Sequence, residues 1–148
     1  MNKIRIYYLD SINAASNLYG TKCVYYSYIG WFVIKNKATG KVLDIAESGD
    51  EGANIIQWTQ KNTDNQLWTW IDKSLICKHR GYAMDLAEAN PEPGTNIIAW
   101  HYHGGKNQQW KFEDNKLKSL VCLDNCVSVQ GHDEWTIQFV GRRAQSKS

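Results

Sequence analysis

The sequence predicts an all-β fold made of three internal repeats. Short runs rich in β-branched and aromatic residues alternate with polar turns, and a unit of about 40 residues recurs along the chain. No stretch keeps a helical spacing of apolar residues over ten positions. The 148 residues form one ordinary domain, which is long enough to bury a core without disulfides or metals.

The first unit holds four predicted strands. They are WFVIKN, KVLDIA, NIIQWT and LWTWI, separated by the polar turns ATGK, ESGDEG and KNTDN. Units of four short strands fit either a β-trefoil, closed by three hairpins, or a propeller, which typically has about four to eight blades. Since the chain holds three units, we expect a β-trefoil with pseudo-threefold symmetry.

The second unit repeats the first in register. GYAMDLAE follows GKVLDIAE at an offset of 41, and from Asn54 and Asn96 onward the offset is 42. The pairs that match at the second offset are Trp58 and Trp100, Asn65 and Asn107, Gln66 and Gln108, and Trp68 and Trp110. A polar and aromatic set that recurs at fixed spacing predicts two equivalent sites.

The third unit is shortened. It begins at DNKLKSL, ends at DEWTIQFV and lacks about 17 residues of the other two. Asp124 is interpreted as the counterpart of Asp44 and Asp85, but the aromatic segment is gone and GHDEW replaces the Asn-Gln-x-Trp signature. We therefore expect lobes at about 31–72, 73–114 and 115–140 in a β-trefoil domain of residues 28–140, with no functional pocket in the third lobe.

The chain ends lie outside the repeats. Residues 1–27 contain five tyrosines, and KIRIYYL alternates like a half-buried strand, so we expect this extension to pack on the shortened lobe or on a partner subunit. A homodimer or larger homo-oligomer is left open. Residues 141–148, GRRAQSKS, are expected to form a flexible basic tail.

Composition argues against several classes of function. The net charge of +2, from 17 basic and 15 acidic residues, is too small and dispersed for a nucleic-acid groove. Neither a bilayer-spanning apolar run nor a secretory signal is visible, so we expect a soluble protein without membrane insertion. Its compartment stays open, including export by a non-classical route.

The four cysteines follow no metal-binding or disulfide pattern. Cys23, Cys77, Cys122 and Cys126 lack a CxxC pair, so we expect buried free thiols. A bridge between Cys122 and Cys126 is left open.

The repeated motifs resemble those of the ricin-B-type lectins and related carbohydrate-binding modules. The resemblance rests on NQLW at 65–68 and NQQW at 107–110, each preceded by an aspartate and a Gly-[Ala/Thr]-Asn-Ile-Ile-x-Trp segment. It covers about residues 28–140. It implies a β-trefoil lectin that recognises galactose- or GalNAc-type glycans through two shallow sites, without catalysis and without a cofactor.

The resemblance also implies residue roles. A tryptophan would stack under the C–H face of a hexose, an aspartate would accept hydrogen bonds from adjacent hydroxyls, and an asparagine would complete the grip. A loop residue would add a contact, and a glutamine would orient the site from behind. The sugar-binding set is expected to be Asp44, Ile56, Trp58, Lys61, Asn65 and Gln66 in the first lobe, and Asp85, Ile98, Trp100, His103, Asn107 and Gln108 in the second. Trp68, Trp110 and Trp135 are expected in the barrel core.

Structural interpretations of the same residues stay open. Trp58 and Trp100 would alternatively fill the core, although the polar loops that follow them favour exposure at a strand end. Asp44 and Asp85 would alternatively cap turns. HGG at 103–105 is interpreted as a tight turn presenting one imidazole, and no third ligand supports a metal site.

Enzyme activity is not expected. Asp44 with Glu47, and Asp85 with Glu88, have the form of glycosidase carboxylate pairs, but three residues of strand and turn would splay them apart. Nothing apolar flanks either glutamate to raise its pKa. The alternatives to a lectin are a protein-binding trefoil of the protease-inhibitor kind and a targeting module of a larger glycan-active or toxin system.

Overall fold

The structure is a computed structural model that describes residues 30–140. Within this range there is no α-helix, and no helix that could cross a membrane. The expectations for the extension of residues 1–27 and for the tail of residues 141–148 lie outside the described residues.

The all-β prediction is confirmed. Residues 30–140 contain ten strands: β1 (Phe32–Asn36), β2 (Val42–Ile45), β3 (Ile55–Trp58), β4 (Trp68–Ile71), β5 (Ser74–Cys77), β6 (Ala83–Leu86), β7 (Ile97–Trp100), β8 (Trp110–Glu113), β9 (Lys116–Ser119) and β10 (Trp135–Phe139).

Six of these strands form a nearly closed barrel. β1 pairs antiparallel with β10 along its whole length, and β4–β5 and β8–β9 form hairpins. β1 also meets β4, where Phe32 lies opposite Trp68. The two remaining joints are backbone hydrogen bonds of 2.8 Å, from the Trp110 N–H to the Lys73 carbonyl and from the Trp135 N–H to the Asn115 carbonyl. Barrel closure leaves few free edges, and this is the β-trefoil arrangement that the repeats predict.

Two further hairpins extend from the barrel strands of the first and second units. β2 pairs with β3 from Val42–Trp58 to Ile45–Ile55, and β6 pairs with β7 in the matching register from Ala83–Trp100 to Leu86–Ile97. A 3-10 turn follows β2 and β6, and another precedes β4 and β8. The two lobes therefore place their repeated residues in the same local geometry.

The third hairpin is reduced to a two-residue turn. Val129 and His132 exchange backbone hydrogen bonds of 3.0 and 2.9 Å, and the residues between them, Gln130 and Gly131, have φ of 52° and 83°. Positive φ at both central positions is the mark of the type I′ turn, whose twist matches that of paired strands. In the third lobe, a tight turn thus stands where the other two lobes have a hairpin.

Three tryptophans mark the threefold core. Trp68, Trp110 and Trp135 are fully buried, as expected. Their indole N–H groups donate to the carbonyls of Leu43, Met84 and Val127, at 3.3, 2.8 and 3.0 Å. A buried indole N–H without a partner would be costly. Each ring therefore fills part of the barrel core, and its hydrogen bond fixes the position of its lobe.

The hydrogen bonds of the indole N–H groups correct the sequence alignment of the third lobe with the other two. The carbonyls bonded by Trp68 and Trp110 belong to the residues just before Asp44 and Asp85, so the residue after Val127 occupies the aspartate position. That residue is Ser128, and the equation of Asp124 with Asp44 and Asp85 was wrong. The whole deletion lies beyond Val127, because Trp135 follows its carbonyl by 8 residues rather than 25 or 26.

The cysteines within residues 30–140 are free thiols. Cys77 is buried, and desolvation raises the pKa of its thiol to about 12, so it is inert at neutral pH. Cys122 and Cys126 are only half-buried and are not bridged. The expectation of buried thiols was wrong for these two, because both lie in the partly exposed loop that follows β9.

Candidate functional site

The site in the first lobe is built around a buried carboxylate. Asp44 lies inside β2, and only 3% of its surface is exposed. Asn65 Nδ2 donates to Asp44 Oδ1 at 3.2 Å, and Gln66 Nε2 donates to Oδ2 at 2.8 Å. Both amides come from the 3-10 turn Asp64–Gln66, so the Asn-Gln pair and the aspartate form one hydrogen-bonded unit.

The second lobe repeats this unit closely. Asn107 Nδ2 donates to Asp85 Oδ1 at 3.1 Å, and Gln108 Nε2 donates to Oδ2 at 2.9 Å. Asp85 is again 3% exposed. Each asparagine also donates to the carbonyl of the residue after the aspartate, Ile45 or Leu86. The sequence offsets of 41 and 42 therefore correspond to two copies of one polar cluster.

Each glutamine ties this cluster to the loop that follows the platform tryptophan. In the first lobe Gln66 Oε1 accepts the backbone N–H groups of Lys61 and Asn62, and Nε2 also donates to the Thr59 carbonyl at 2.9 Å. In the second lobe Gln108 bonds His103, Gly104 and His101 in the same way. Because the oxygen and the nitrogen of the buried amide are both hydrogen-bonded, the glutamine fixes the position of the loop relative to the carboxylate.

The platform tryptophans close β3 and β7 but differ in exposure. Trp58 is 53% exposed, as expected for a ring that offers a face to solvent. Trp100 is half-buried, a departure from the expected equivalence. Within each Ile-Ile pair only the first residue is buried, and Ile56 and Ile98, half-buried, lie directly opposite Asp44 and Asp85 in the hairpins.

Burial raises the pKa of both aspartates. Desolvation raises the pKa of Asp44 above its ordinary 3.8, opposed by the hydrogen bond from Gln66 and the positive charge of Lys61. The pKa of Asp85 is also raised by desolvation, opposed first by Gln108 and then by the charge of His103, whose Nε2 lies 4.0 Å from Asp85 Oδ2. Lys61 and His103 thus occupy equivalent places, one as an ammonium and one as an imidazole.

In each lobe the structure therefore brings together the expected aspartate, asparagine and glutamine, and the expected tryptophan ends the neighbouring strand. Asp44, Asn65 and Gln66 form the floor of the first site, Trp58 ends the strand beside it, and Lys61 belongs to the loop at its rim. Such an arrangement offers an acceptor-rich floor and a flat apolar face to a polyhydroxyl ligand.

Two residues beside the second candidate site, His101 and Glu51, were not in the expected set. His101 follows the platform tryptophan, its ring centroid 5.7 Å from that of Trp100, and its backbone N–H donates to Glu51 Oε2 at 3.1 Å. The HGG segment thus presents His103, while a second imidazole stands beside it, the two centroids being 5.8 Å apart. Only the adjacency of His101 to Trp100 hinted at this, since its partner lies 50 residues away.

The carboxylate pairs that resemble glycosidase residues do not share a pocket. Asp44 is buried within its strand, whereas Glu47 is exposed on the following turn at φ 56°. Asp85 and Glu88 repeat this separation, with Glu88 at φ 56°. Among residues 30–140 no three His, Cys, Asp or Glu side chains cluster as metal ligands would.

The third lobe has no comparable cluster in the described part of the chain. Ser128 stands at the aspartate position, and His132 and Asp133 stand where the Asn-Gln pair would be, two residues before Trp135. Asp133 Oδ2 instead lies 3.8 Å from Lys116 Nζ and 3.4 Å from Cys126 Sγ. Without the hairpin that carries the platform ring, this lobe keeps only the core tryptophan.

A six-stranded barrel with duplicated Asp, Trp and Asn-Gln clusters defines the class of Q-x-W β-trefoil lectins. A profile of the ricin-type β-trefoil lectin domain matches residues 30–146. The chain belongs to this family. A sequence search among curated proteins gave no significant match.

Solved structures agree with this assignment. The chain is similar to the designed threefold-symmetric protein ThreeFoil, at 25% identity and a TM-score of 0.64, covering 75% of this chain and 99% of that one. It is also similar to an exo-beta-1,3-galactanase from Clostridium thermocellum, at 26% identity and a TM-score of 0.66, covering 75% of this chain but 30% of that one. The C-half of an earthworm R-type lectin, solved in complex with GalNAc, shares the fold at 22% identity and a TM-score of 0.59, with 75% and 99% covered.

Proposed function

We propose that the protein recognises galactose- or GalNAc-containing glycans through two shallow sites, one in the first lobe and one in the second, without catalysing a reaction. The observation that carries this proposal is the duplicated cluster in which both amides of an Asn-Gln pair converge on a buried aspartate beside a strand-end tryptophan. The earthworm lectin half solved with GalNAc has the same fold and supports the choice of ligand.

The chemistry of each site suits a hexose. When ionised, the aspartate accepts hydrogen bonds and donates none, and each of its oxygens keeps acceptor capacity after taking one amide N–H. Two adjacent sugar hydroxyls would donate to it, while the indole would cover the C–H face of the ring. Lys61 in the first lobe and His103 in the second would add a contact at the rim. Ile56 and Ile98 would contribute apolar surface opposite the aspartates.

Each site would bind weakly alone. A few hydrogen bonds at about 1 kcal/mol each, plus one stacking contact, correspond to millimolar or high-micromolar affinity. Two sites on one chain would raise affinity for a glycan-covered surface, because the second contact forms at high effective concentration. The biological role would then be docking to, or clustering of, glycoconjugates.

A glycan array tests the proposal. We expect galactose-type hits that Trp58→Ala and Trp100→Ala each weaken and that the double variant abolishes. Trp58 is more than half exposed, so its loss should barely change the melting temperature. A folded double variant that keeps full binding would contradict the proposal.

The array also separates the two alternatives. No glycan hit at all, with tight inhibition of a protease, would favour a protein-binding trefoil. Glycan binding together with sugar release from the array would contradict a purely binding role, and it would point to a glycan-active system of the kind to which the galactanase belongs.

A further inference from the structure

The tip of the first hairpin packs on the strand that carries the second platform. The Gly52 N–H donates to the Ala99 carbonyl at 2.7 Å, and the Ala99 N–H donates to the Ala53 carbonyl at 2.9 Å. A Cβ placed on Gly52 would lie 3.8 Å from Cζ3 of Trp100, so the tip backbone runs close beside the indole. Trp100 is half-buried because another lobe covers one edge of it.

Glu51, at this tip, binds His101 twice. Its Oε2 accepts the backbone N–H of His101 at 3.1 Å and also bonds the ring nitrogen Nδ1. The hydrogen bond from His101 lowers the pKa of the Glu51 carboxyl, which keeps it ionised at neutral pH. An ionised carboxylate accepts and cannot donate, so the neutral imidazole carries its proton on Nδ1. Nε2 is left as the ring nitrogen for a ligand hydroxyl.

His101 lies between the other elements of the second site. Its ring centroid is 5.7 Å from that of Trp100 and 5.8 Å from that of His103, whose Nε2 approaches Asp85. The His101 carbonyl also accepts the side chain of Gln108 at 2.9 Å. A residue of the first lobe therefore orients a ring that borders both the platform and the acid cluster of the second.

The first site receives no such support within the described residues. By the threefold relation, the third hairpin would pack on the strand of Trp58 as the first packs on that of Trp100. That hairpin is reduced to the turn at Gln130 and Gly131, and Trp58 is 53% exposed. At the other joint, the second hairpin tip contacts a loop of the third lobe, where Asn125 Nδ2 donates to the Pro91 carbonyl at 2.8 Å.

We propose that the second sugar site is shared between two lobes: Glu51 is the positioning residue that holds His101 in its Nδ1–H form, and His101 Nε2 accepts a hydroxyl of the bound hexose. This inference rests on the function proposed above for the second lobe. The shared site makes the two sites unequal. Because the third hairpin is reduced to a turn, it offers the first site no carboxylate equivalent to Glu51.

The test uses the full-length chain carrying Trp58→Ala, so that binding reports the second site alone. Titration with GalNAc is followed by calorimetry, and the 15N shifts of the imidazole nitrogens report the tautomer of His101. Adding Glu51→Ala is expected to weaken binding by about threefold to tenfold. It is also expected to shift His101 away from the Nδ1–H form. The matched control is Glu92→Ala, which removes the acid at the corresponding tip of the second hairpin, 41 residues on, and should change neither reading.

The possible outcomes are distinct. If the Trp58→Ala chain binds no GalNAc, the proposed second site itself fails, and this inference with it. If it binds and Glu51→Ala leaves affinity and tautomer unchanged, the sugar site stands but the shared site is overturned. If Glu51→Ala proves unstable, His101→Ala replaces it, since that variant removes the contacting ring without altering the tip. A loss of GalNAc affinity for His101→Ala of about the same size as that expected for Glu51→Ala supports the proposal, and unchanged affinity refutes it.

Discussion

At the scale of single residues, the hydrogen-bond directions explain why an aspartate stands at each site. Every neighbour of the Asp44 side chain donates: Asn65 to one oxygen and Gln66 to the other. Gln66 cannot reverse, because its own oxygen already accepts two backbone N–H groups. Only a group that accepts at both oxygens fits, so the hydrogen-bonded cluster itself requires a carboxylate at this position.

Acid is therefore expected to weaken sugar binding earlier than it would at an ordinary aspartate. Burial raises the pKa of Asp44 above 3.8, so at any given mildly acidic pH more of it is protonated. A proton on either oxygen displaces an amide donor or a sugar hydroxyl. The affinity of the Trp100→Ala chain for GalNAc should fall on going from about pH 7 toward about pH 4, while circular dichroism shows that the chain stays folded.

That background leaves only the first site, whose rim holds Lys61 rather than histidines, so the titration reports the carboxylate. Affinity that stays constant until the ordinary pKa of 3.8 is reached would contradict the raised pKa. The second site, tested with Trp58→Ala, carries two imidazoles as well and is the less simple case.

At the scale of elements, regular repetition was predictable from the sequence and its interruption was only partly so. The spacing of Gln66 and Trp68, repeated at Gln108 and Trp110, identified strands, turns and core tryptophans. Asp124 was misassigned because residue type was the only guide across the deletion. The indole bond of Trp135 to Val127 supplies the register that residue type could not.

The contact between hairpin tips was not predictable from the repeats. Glu51 and His101 are 50 residues apart, and in the second unit the corresponding acid faces no third hairpin. Contacts that exist in one copy only leave no repeated pattern, so the inequality of Trp58 and Trp100 emerges only from packing between lobes.

The turn that replaces the third hairpin should be sensitive at Gly131. Its φ of 83° disfavours a side chain, although nothing lies within 4 Å of an added Cβ, so the cost is purely one of backbone conformation. Gly131→Ala is expected to lower the free energy of unfolding in urea by about 1 kcal/mol. Gly131→Asn should cost less, because asparagine tolerates this region. Equal stability of all three proteins would show that the turn does not pin the register of β10.

At the scale of the whole molecule, the absence of one hairpin within the described residues leaves a threefold barrel with two polar clusters whose neighbouring tryptophans differ in exposure. The barrel keeps its symmetry, since Trp68, Trp110 and Trp135 each bond one carbonyl of their own lobe. The hairpin end does not keep it, because among residues 30–140 the first hairpin tip packs on the strand of Trp100 and no hairpin packs in the same way on the strand of Trp58. The barrel and the polar clusters thus depend on different parts of each repeat, so the third lobe keeps its place in the barrel without the Asp and Asn-Gln cluster.

The central claim, two sugar sites at the strand-end indoles, is tested most directly by titrating the 15N-labelled protein with GalNAc and following its tryptophan indole N–H signals. We predict that the signals of Trp58 and Trp100 shift with saturation, at two different midpoints, while those of Trp68, Trp110 and Trp135 stay in place because their N–H groups are buried and bonded to backbone carbonyls. A titration in which neither Trp58 nor Trp100 responds at millimolar sugar would contradict the account.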